Sequence, residues 1–478
     1  MRPALVRNWH MMLPGAPVPR ACSPRPPAPF DVGASPASPM STYLFRSAYF
    51  GLQRLRHGVS PEMVRRAAHL LDASPDVLRA HLAARLREVH GPMADLAWLA
   101  RQPLIERSTL VAEIARLRSA KLARRVEARH TSGSTGTPFA FLKDAEMSAW
   151  MDATMWALYA WHGIRPGDPQ ARFWGAPTTS RLRQRRRILD GVLHRRRLSA
   201  FEIAPERCVR YFHELRRFRP THAYGYPTLI SEFVQQCAAA GLDGRELKLR
   251  AVISTGELLA PDVRHRLAEF FGCSVVNEYG CTESGIIGME CESGVMHLTP
   301  VAAYAEIVTP DGRPAGTGQP GELVVTDLFG KVLPLTRYRL HDRARRAAGA
   351  VCRCGRSLEA LDVEVGRLDR FIVTPDRGLV YDAILAYNVP SEVLRFRARQ
   401  VAIDHLDIQL LPGPGFDLEK TPALFRRRLG RALGPVMRIE MRVVGEIPFA
   451  TSGKLRYFVP LEAGADTNQN EALIEQTI

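Results

Sequence analysis

Four short stretches of this chain gather the residue types that handle phosphate. Thr131, Ser132, Gly133, Ser134, Thr135 and Gly136 supply hydroxyl donors, plus glycines that let successive backbone N–H groups converge on an anion. No Gly-Lys-Ser/Thr follows at the Walker spacing, so this is not that phosphate loop. The residues alone leave a linker open, although Pro138 stiffens the exit and the apolar FAFL follows at once. Asn277–Glu283 (NEYGCTE) comes after a run predicted as strand, where α/β proteins place ligands. Its aromatic, hydroxyl and two carboxylates suit a purine, a phosphate oxygen and Mg²⁺, or else a polar turn. Arg337–Asp342 (RYRLHD), with GRLD at 366–369 behind it, offers an Asp for vicinal ribose hydroxyls and Arg for phosphate. A surface salt-bridge strand explains it equally. Thr451–Arg456 (TSGKLR) sets Lys454, one of only six lysines, in a Gly/Ser turn. A long cation on a mobile loop suits charge stabilisation at a phosphoryl transition state. An ordinary exposed lysine is the alternative.

A second chemistry is available to Cys291-x5-His297 and Cys352-x-Cys354. Together they supply four soft or borderline ligands, suited to a closed tetrahedral Zn²⁺ site. Cys-x-Cys is tighter than the usual Cys-x2-Cys, so four unrelated reduced residues remain open on spacing alone. Eight unevenly spaced cysteines and no clear signal peptide argue against a disulfide framework and for a reducing cytoplasm.

The elements that must position these residues follow from periodicity. Residues 60–125 show helical spacing throughout. Beyond them, helix-like segments alternate with short β-rich runs such as Ala251–Thr255 (AVIST) and Ser274–Asn277 (SVVN), the pattern of a layered α/β domain. The basic run Arg181–Arg197 reads as a solvated helix and loop. Around 321–340 the text turns strand-rich, and past Gly366 a smaller α+β segment holds His405–Leu411 and Ile439–Ile447 as strands. Residues 1–40 are rich in Pro, Ala and Arg, with Asp31 their only acid. They read as disordered, or untranslated if synthesis begins at Met40; the Arg-rich start also resembles a transit peptide. Ser41–Gly58 is expected as a helix packed on the domain rather than an interfacial one. No apolar run approaches the ~20 residues of a membrane span. The net charge of +16 comes from 59 Arg against 6 Lys, a coding bias more than a designed patch, so nucleic-acid binding is not expected.

In order, these features are a hydroxyl/glycine loop, Ser254–Glu257 (STGE), YGCTE, an Arg/Asp strand, GRLD and a near-terminal GK. That order resembles the adenylate-forming superfamily of acyl-CoA ligases, peptide-synthetase adenylation domains and luciferases, over about residues 60–460. The short TSGSTGTP, the CRCGR at 352–356 and PLTRYR resemble its phenylacetate–coenzyme A ligase-like branch.

The resemblance implies an α/β (α+β overall) chain. A large layered adenylation domain would span 41–366, a small mobile α+β lid 367–463, and a tail 464–478. It implies that a carboxylic acid attacks the α-phosphorus of ATP to form an acyl-adenylate, which a thiol or amine then takes. Thr131 to Gly136 would grip the β- and γ-phosphates. Ser254, Thr255, Gly256, Glu257 and Tyr279 would frame adenine. Thr282 would contact the α-phosphate, Glu283 would hold Mg²⁺, and Asp342 and Arg367 would bind ribose. Asp369 would be the hinge, and Lys454 would reach the α-phosphate. Cys291, His297, Cys352 and Cys354 would hold a structural Zn²⁺, as relatives in this branch can.

Two departures stand out. The family's Thr-Gly-Asp is Leu340-His341-Asp342 here, and about ten extra residues precede Asn388–Glu392 in a region that shapes thioester formation in relatives. Coenzyme A is therefore one expected acceptor, with a carrier protein or an amine in polysaccharide or secondary-metabolite assembly as the alternative. A silent nucleotide-binding or basic interaction protein is a third reading. Trp156, Tyr159, Trp161, Phe173, Trp174, Tyr224 and Tyr226 are aromatics available to an apolar acid pocket or simply to the core; family analogy points to an aryl or arylacetic acid. A homodimer is compatible with all of this.

Overall fold

Proline and serine mark where the helices begin. In the computed structural model Pro61, Pro75, Pro205, Pro227 and Pro261 each open a helix, where a missing N–H costs nothing. Ser60 and Ser74 cap two of them by accepting from Met63 N and Val77 N. The structure describes residues 40–118, 126–131, 139–175, 180–200, 203–347, 352–367, 371–376, 378–450 and 454–461.

The strands build two main layers and a third, separate one. A seven-stranded sheet runs in the order 195–199, 170–174, 222–225, 251–255, 274–281, 285–290, 296–298. Its first five strands are parallel and its last two antiparallel. Ala251–Thr255 is buried along its whole length, as a central strand in a sheet covered on both faces is, including Ser254 and Thr255 at its end. One face packs on the helix Ala145–Tyr159 and the other on the helices Pro205–Phe218, Pro227–Ala239 and Pro261–Phe271. An antiparallel sheet of 303–308, 321–327, 338–346 and 361–367 shares a core with the hairpin Val126–Thr131/Phe139–Asp144 through Phe141, Ile287 and Tyr338. Residues 393–459 form a mixed four-stranded sheet in the order 438–443, 405–412, 393–402, 458–459. The helix Lys420–Leu433 covers it, and it has its own core of Phe396, Ile408, Phe425 and Phe458.

One expectation holds and another changes. Met40–Arg56 is a helix that packs inward: Tyr49 is buried, and Tyr49, Gln53 and His57 all meet the carboxylate of Asp152. The basic run is a helix only over Ser180–Val192. Arg195–Ser199 forms the edge strand of the large sheet, where Arg197 makes a two-bond ion pair with Asp190 at 2.7 and 2.9 Å. Pairing satisfied what composition alone read as a solvated face. The extra residues after 370 fold as a hairpin, 371–374 with 378–381, and the short helix Ala383–Asn388.

Several contacts among the described residues join the C-terminal layer to the rest. Arg395 pairs with the buried Glu232 through two bonds of 2.7 Å, and its guanidinium lies 4.1 Å over the Phe449 ring. Ile447, Phe449 and Leu455 insert into the core beside Tyr226 and Leu259.

Candidate active site

The carboxyl ends of two parallel strands carry Ser254 to Glu257 and Tyr279 of the expected nucleotide residues. Ser254 and Thr255 close their strand, both buried, and Ser254 Oγ has no partner. Gly256 follows with φ +75°, a left-handed turn that a side chain would strain. A Cβ there would lie 3.1 Å from Tyr226 Cε1 and 3.5 Å from Lys454 Nζ. Lys454 thus reaches this corner from the C-terminal layer, its Nζ 5.7 Å from the Tyr226 ring centre. The neighbouring Leu455 N donates to Glu257 Oε1 at 3.0 Å, and Thr228 Oγ1 donates to Glu257 Oε2 at 2.5 Å. Burial raises the Glu257 carboxyl, against these bonds. Glu257 therefore serves as the tie that brings the lysine in.

Tyr279 and Asp342 meet as well. The strand Ser274–Cys281 runs on through NEYGC, with a bulge between Tyr279 and Gly280, rather than turning after Asn277, so Tyr279 stands on the sheet. Its hydroxyl donates to Asp342 Oδ2 at 2.7 Å. Arg367 lies directly opposite Asp342 in the antiparallel ladder. The turn at 282–284 leaves Thr282 exposed and Glu283 buried, with Tyr338 Oη donating to Glu283 Oε1 at 3.4 Å. A carboxylate next to an exposed hydroxyl is a hard-oxygen pair suited to Mg²⁺.

The arginines of RYRLHD do not face this site. Arg337 is 2% exposed and donates to Glu306, to the carbonyls of Ala100 and Gln102, and to Gly312 O at 2.6 Å. Arg339 is taken by Glu322 and Glu106, and His341 lies 3.2 Å from Glu106. Only Asp342 of the motif points toward Tyr279.

Thr131 and Phe139 face each other as the last pair of a hairpin. Ser132, Gly133, Ser134, Thr135 and Gly136, in the segment the hairpin closes, lie outside the described residues, as does Asp369. Two neighbours of the site escaped the sequence reading. Lys143 and Asp327, 1% and 0% exposed, form a buried ion pair, and Asp327 Oδ1 accepts from Ser284 Oγ at 2.9 Å. This pair anchors the 282–284 turn to the hairpin. The rarity of lysine in this chain was a signal for Lys143 as much as for Lys454.

Cys291, His297, Cys352 and Cys354 do come together, their ligand atoms all within 4.8 Å of one another. Cys291 Sγ and Cys352 Sγ are 3.7 Å apart, and Cys354 Sγ is 3.4 Å from His297 Nε2. The edges of a tetrahedral zinc site built with ordinary Zn–S and Zn–N bonds are about 3.8 and about 3.5 Å. His297 Nδ1 donates to Leu358 O at 3.1 Å, which leaves the Nε2 lone pair facing the cluster. The donor set fits the ion.

Residues 128–327, from the hairpin to Asp327, match the AMP-binding enzyme family. That segment is similar to the adenylate-forming enzymes. Among its relatives, Protein CapK of Staphylococcus aureus is 21% identical over 69% of this chain and 73% of that protein. Phenylacetate-coenzyme A ligase of Pseudomonas putida is 28% identical over 38% of this chain and 41% of its own length. The fold is shared with 2-hydroxyisobutyryl-CoA ligase in its postadenylation state, at a TM-score of 0.63 and 20% identity, over 95% of this chain and 98% of that one. Among the described residues no helix is long and apolar enough to cross a membrane.

Proposed function

We propose that this protein is an ATP-dependent ligase that joins a carboxylic acid to AMP, releases pyrophosphate, and passes the acyl group to coenzyme A. The observation that carries the reading is the seating of Lys454 against Gly256 and Tyr226, held there by the Leu455–Glu257 bond. A cation brought from a separate layer onto the carboxyl edge of a parallel sheet suits charge that develops on the α-phosphate.

The other residues take roles around it. Tyr279 flanks adenine and fixes Asp342, which accepts from a ribose hydroxyl, with Arg367 alongside. Thr131 to Gly136 hold the departing pyrophosphate and Thr282 the α-phosphate. Glu283 holds Mg²⁺, which when bound neutralises phosphate charge. Residues 41–366 act as the adenylation domain, and 367–463 as a lid turning about Asp369. Zinc at Cys291, His297, Cys352 and Cys354 is structural, tying the strand pair 285–298 to the 352–358 turn.

An amine or carrier-protein acceptor is the second reading. It is favoured by the hairpin and helix at 371–388, which add structure where the acyl acceptor would approach. AMP release over a panel of carboxylic acids, with and without coenzyme A, separates the two. Stimulation by coenzyme A, with a thioester product, supports the first. AMP release indifferent to coenzyme A, with an acyl-amide formed from added amine, supports the second. A protein that binds ATP but turns over no acid contradicts both.

A further inference from the structure

The face of the large sheet covered by Ala145–Tyr159 is unusually polar for an interior. Alternation along the strands places Gln170, Arg172 and Trp174 on that face, beside His222 and Tyr224 and, further across, Thr255 and Glu278, with Tyr226 just past the strand end at its carboxyl edge. The aromatic members form a ladder that begins at the lysine corner. Lys454 Nζ lies over Tyr226. Tyr226 stacks on Trp174 at 4.1 Å, and Trp174 on Tyr224 at 5.6 Å. Arg172 lies at the inner end, its guanidinium carbon 5.0 Å from the Trp174 ring and 4.7 Å from the Tyr224 ring.

Charge does not balance in this wall. Both oxygens of the buried Glu278 are taken by tyrosine hydroxyls, Tyr159 at 2.7 Å and Tyr224 at 3.5 Å. Arg172 donates to Gln170 Oε1 at 3.2 Å, yet its buried Nε has no partner. Among the described residues no carboxylate lies within ion-pair distance of Arg172 or of the neighbouring Arg195, while Asp190 is consumed by Arg197. Burial pushes Arg172 down to about 10, with Arg195 the next cause. His222, driven down to about 3 by burial, adds no charge. Arginine is rarely enclosed without an anion, because a desolvated cation is costly unless paired. The two rings offset part of that cost and leave the donor edge open.

We infer that Arg172 is a specificity-determining residue, and that the acid this protein activates carries a second anionic group remote from its reacting carboxylate. The inference rests on the ligase reading above and names the substrate class of that same site. The reacting carboxylate sits at the Lys454 corner, the body of the acid lies along Tyr226, Trp174 and Tyr224, and the distal anion takes the open donors of Arg172 with Arg195 behind it. An unsubstituted arylacetic acid would leave that half-buried guanidinium without an anion.

The test is ATP–pyrophosphate exchange with matched acids: benzoate against 4-sulfobenzoate, phenylacetate against 4-sulfophenylacetate, and butanoate against succinate. The wild type is expected to favour the doubly anionic member of at least one pair by tenfold or more in kcat/KM. Arg172→Met should lower that preference by about 30-fold or more, the smaller end of what truncating one partner of a buried charged pair costs. Arg172→Gln, which keeps hydrogen bonding and bulk, should lower it in the same direction. A purely structural arginine would depress both acids together and leave the ratio where it was. Wild-type preference for the singly charged member of every pair overturns the inference and leaves the ligase reading standing. So does a ratio unchanged within threefold in both variants. Exchange with no acid at all overturns both.

Discussion

Replacing Lys143 by Met strands the carboxylate of Asp327 in a fully enclosed site. The two side chains are 1% and 0% exposed, and burial already raises the Asp327 carboxyl, with Lys143 and then Ser284 acting against it. Removing one partner of such a pair costs about 3–5 kcal/mol, because an opposite charge is left uncompensated. At an m-value of about 3 kcal/mol/M in urea, the unfolding midpoint should fall by about 1 M or more. Asp327→Leu should cost a similar amount through the stranded ammonium. The double variant Lys143→Met/Asp327→Leu removes both charges and should recover to within about 1–2 kcal/mol of wild type. Urea titration followed by far-ultraviolet circular dichroism reads all four proteins. The Ser284–Asp327 bond also anchors the turn that holds Glu283, so pyrophosphate exchange should stay depressed in the double variant after stability returns. Single variants losing under about 1 kcal/mol, or losses that simply add in the double, would refute the argument.

Other consequences are direct. Tyr279→Phe deletes the donor to Asp342, a bond to a charged group worth about 1.5–3 kcal/mol; the KM for ATP should rise about tenfold or more with the melting temperature little changed. His57 meets Asp152 and Glu127 through both ring nitrogens; burial lowers it, but these bonds outweigh burial and raise it to about 9. Its contribution is therefore full below about pH 6.5 and lost as pH climbs through 9, so the melting-temperature gap between wild type and His57→Gln should shrink over that window. Protein purified without added metal should carry about one equivalent of zinc, and Cys354→Ser should carry far less; a value near zero in wild type removes the zinc assignment.

Local runs and ligand-type spacings were more legible in sequence than the long-range contacts that hold them. The β-branched run in AVIST announces a strand, and the cysteines and histidine of the four-ligand cluster converge although 348–351 lies outside the described residues. Burial decisions made by tertiary pairing were not legible. Arg195–Arg197 reads as surface until Asp190 and the strand 170–174 supply partners. Arg337 looks like a phosphate ligand until four acceptors from distant segments enclose it at φ +49°. Glu257 carries no mark of its bond to Leu455, since that contact exists only when the C-terminal layer is docked.

The central claim is that Lys454, in this docked position, drives acid activation. It is tested most directly by ATP–pyrophosphate exchange on wild type and Lys454→Ala with one acid that the wild type uses. Loss of one preorganised cation at developing charge should lower exchange by about 10²–10³-fold, with ATP binding altered by less than about tenfold. Equal exchange by the two proteins would contradict the account.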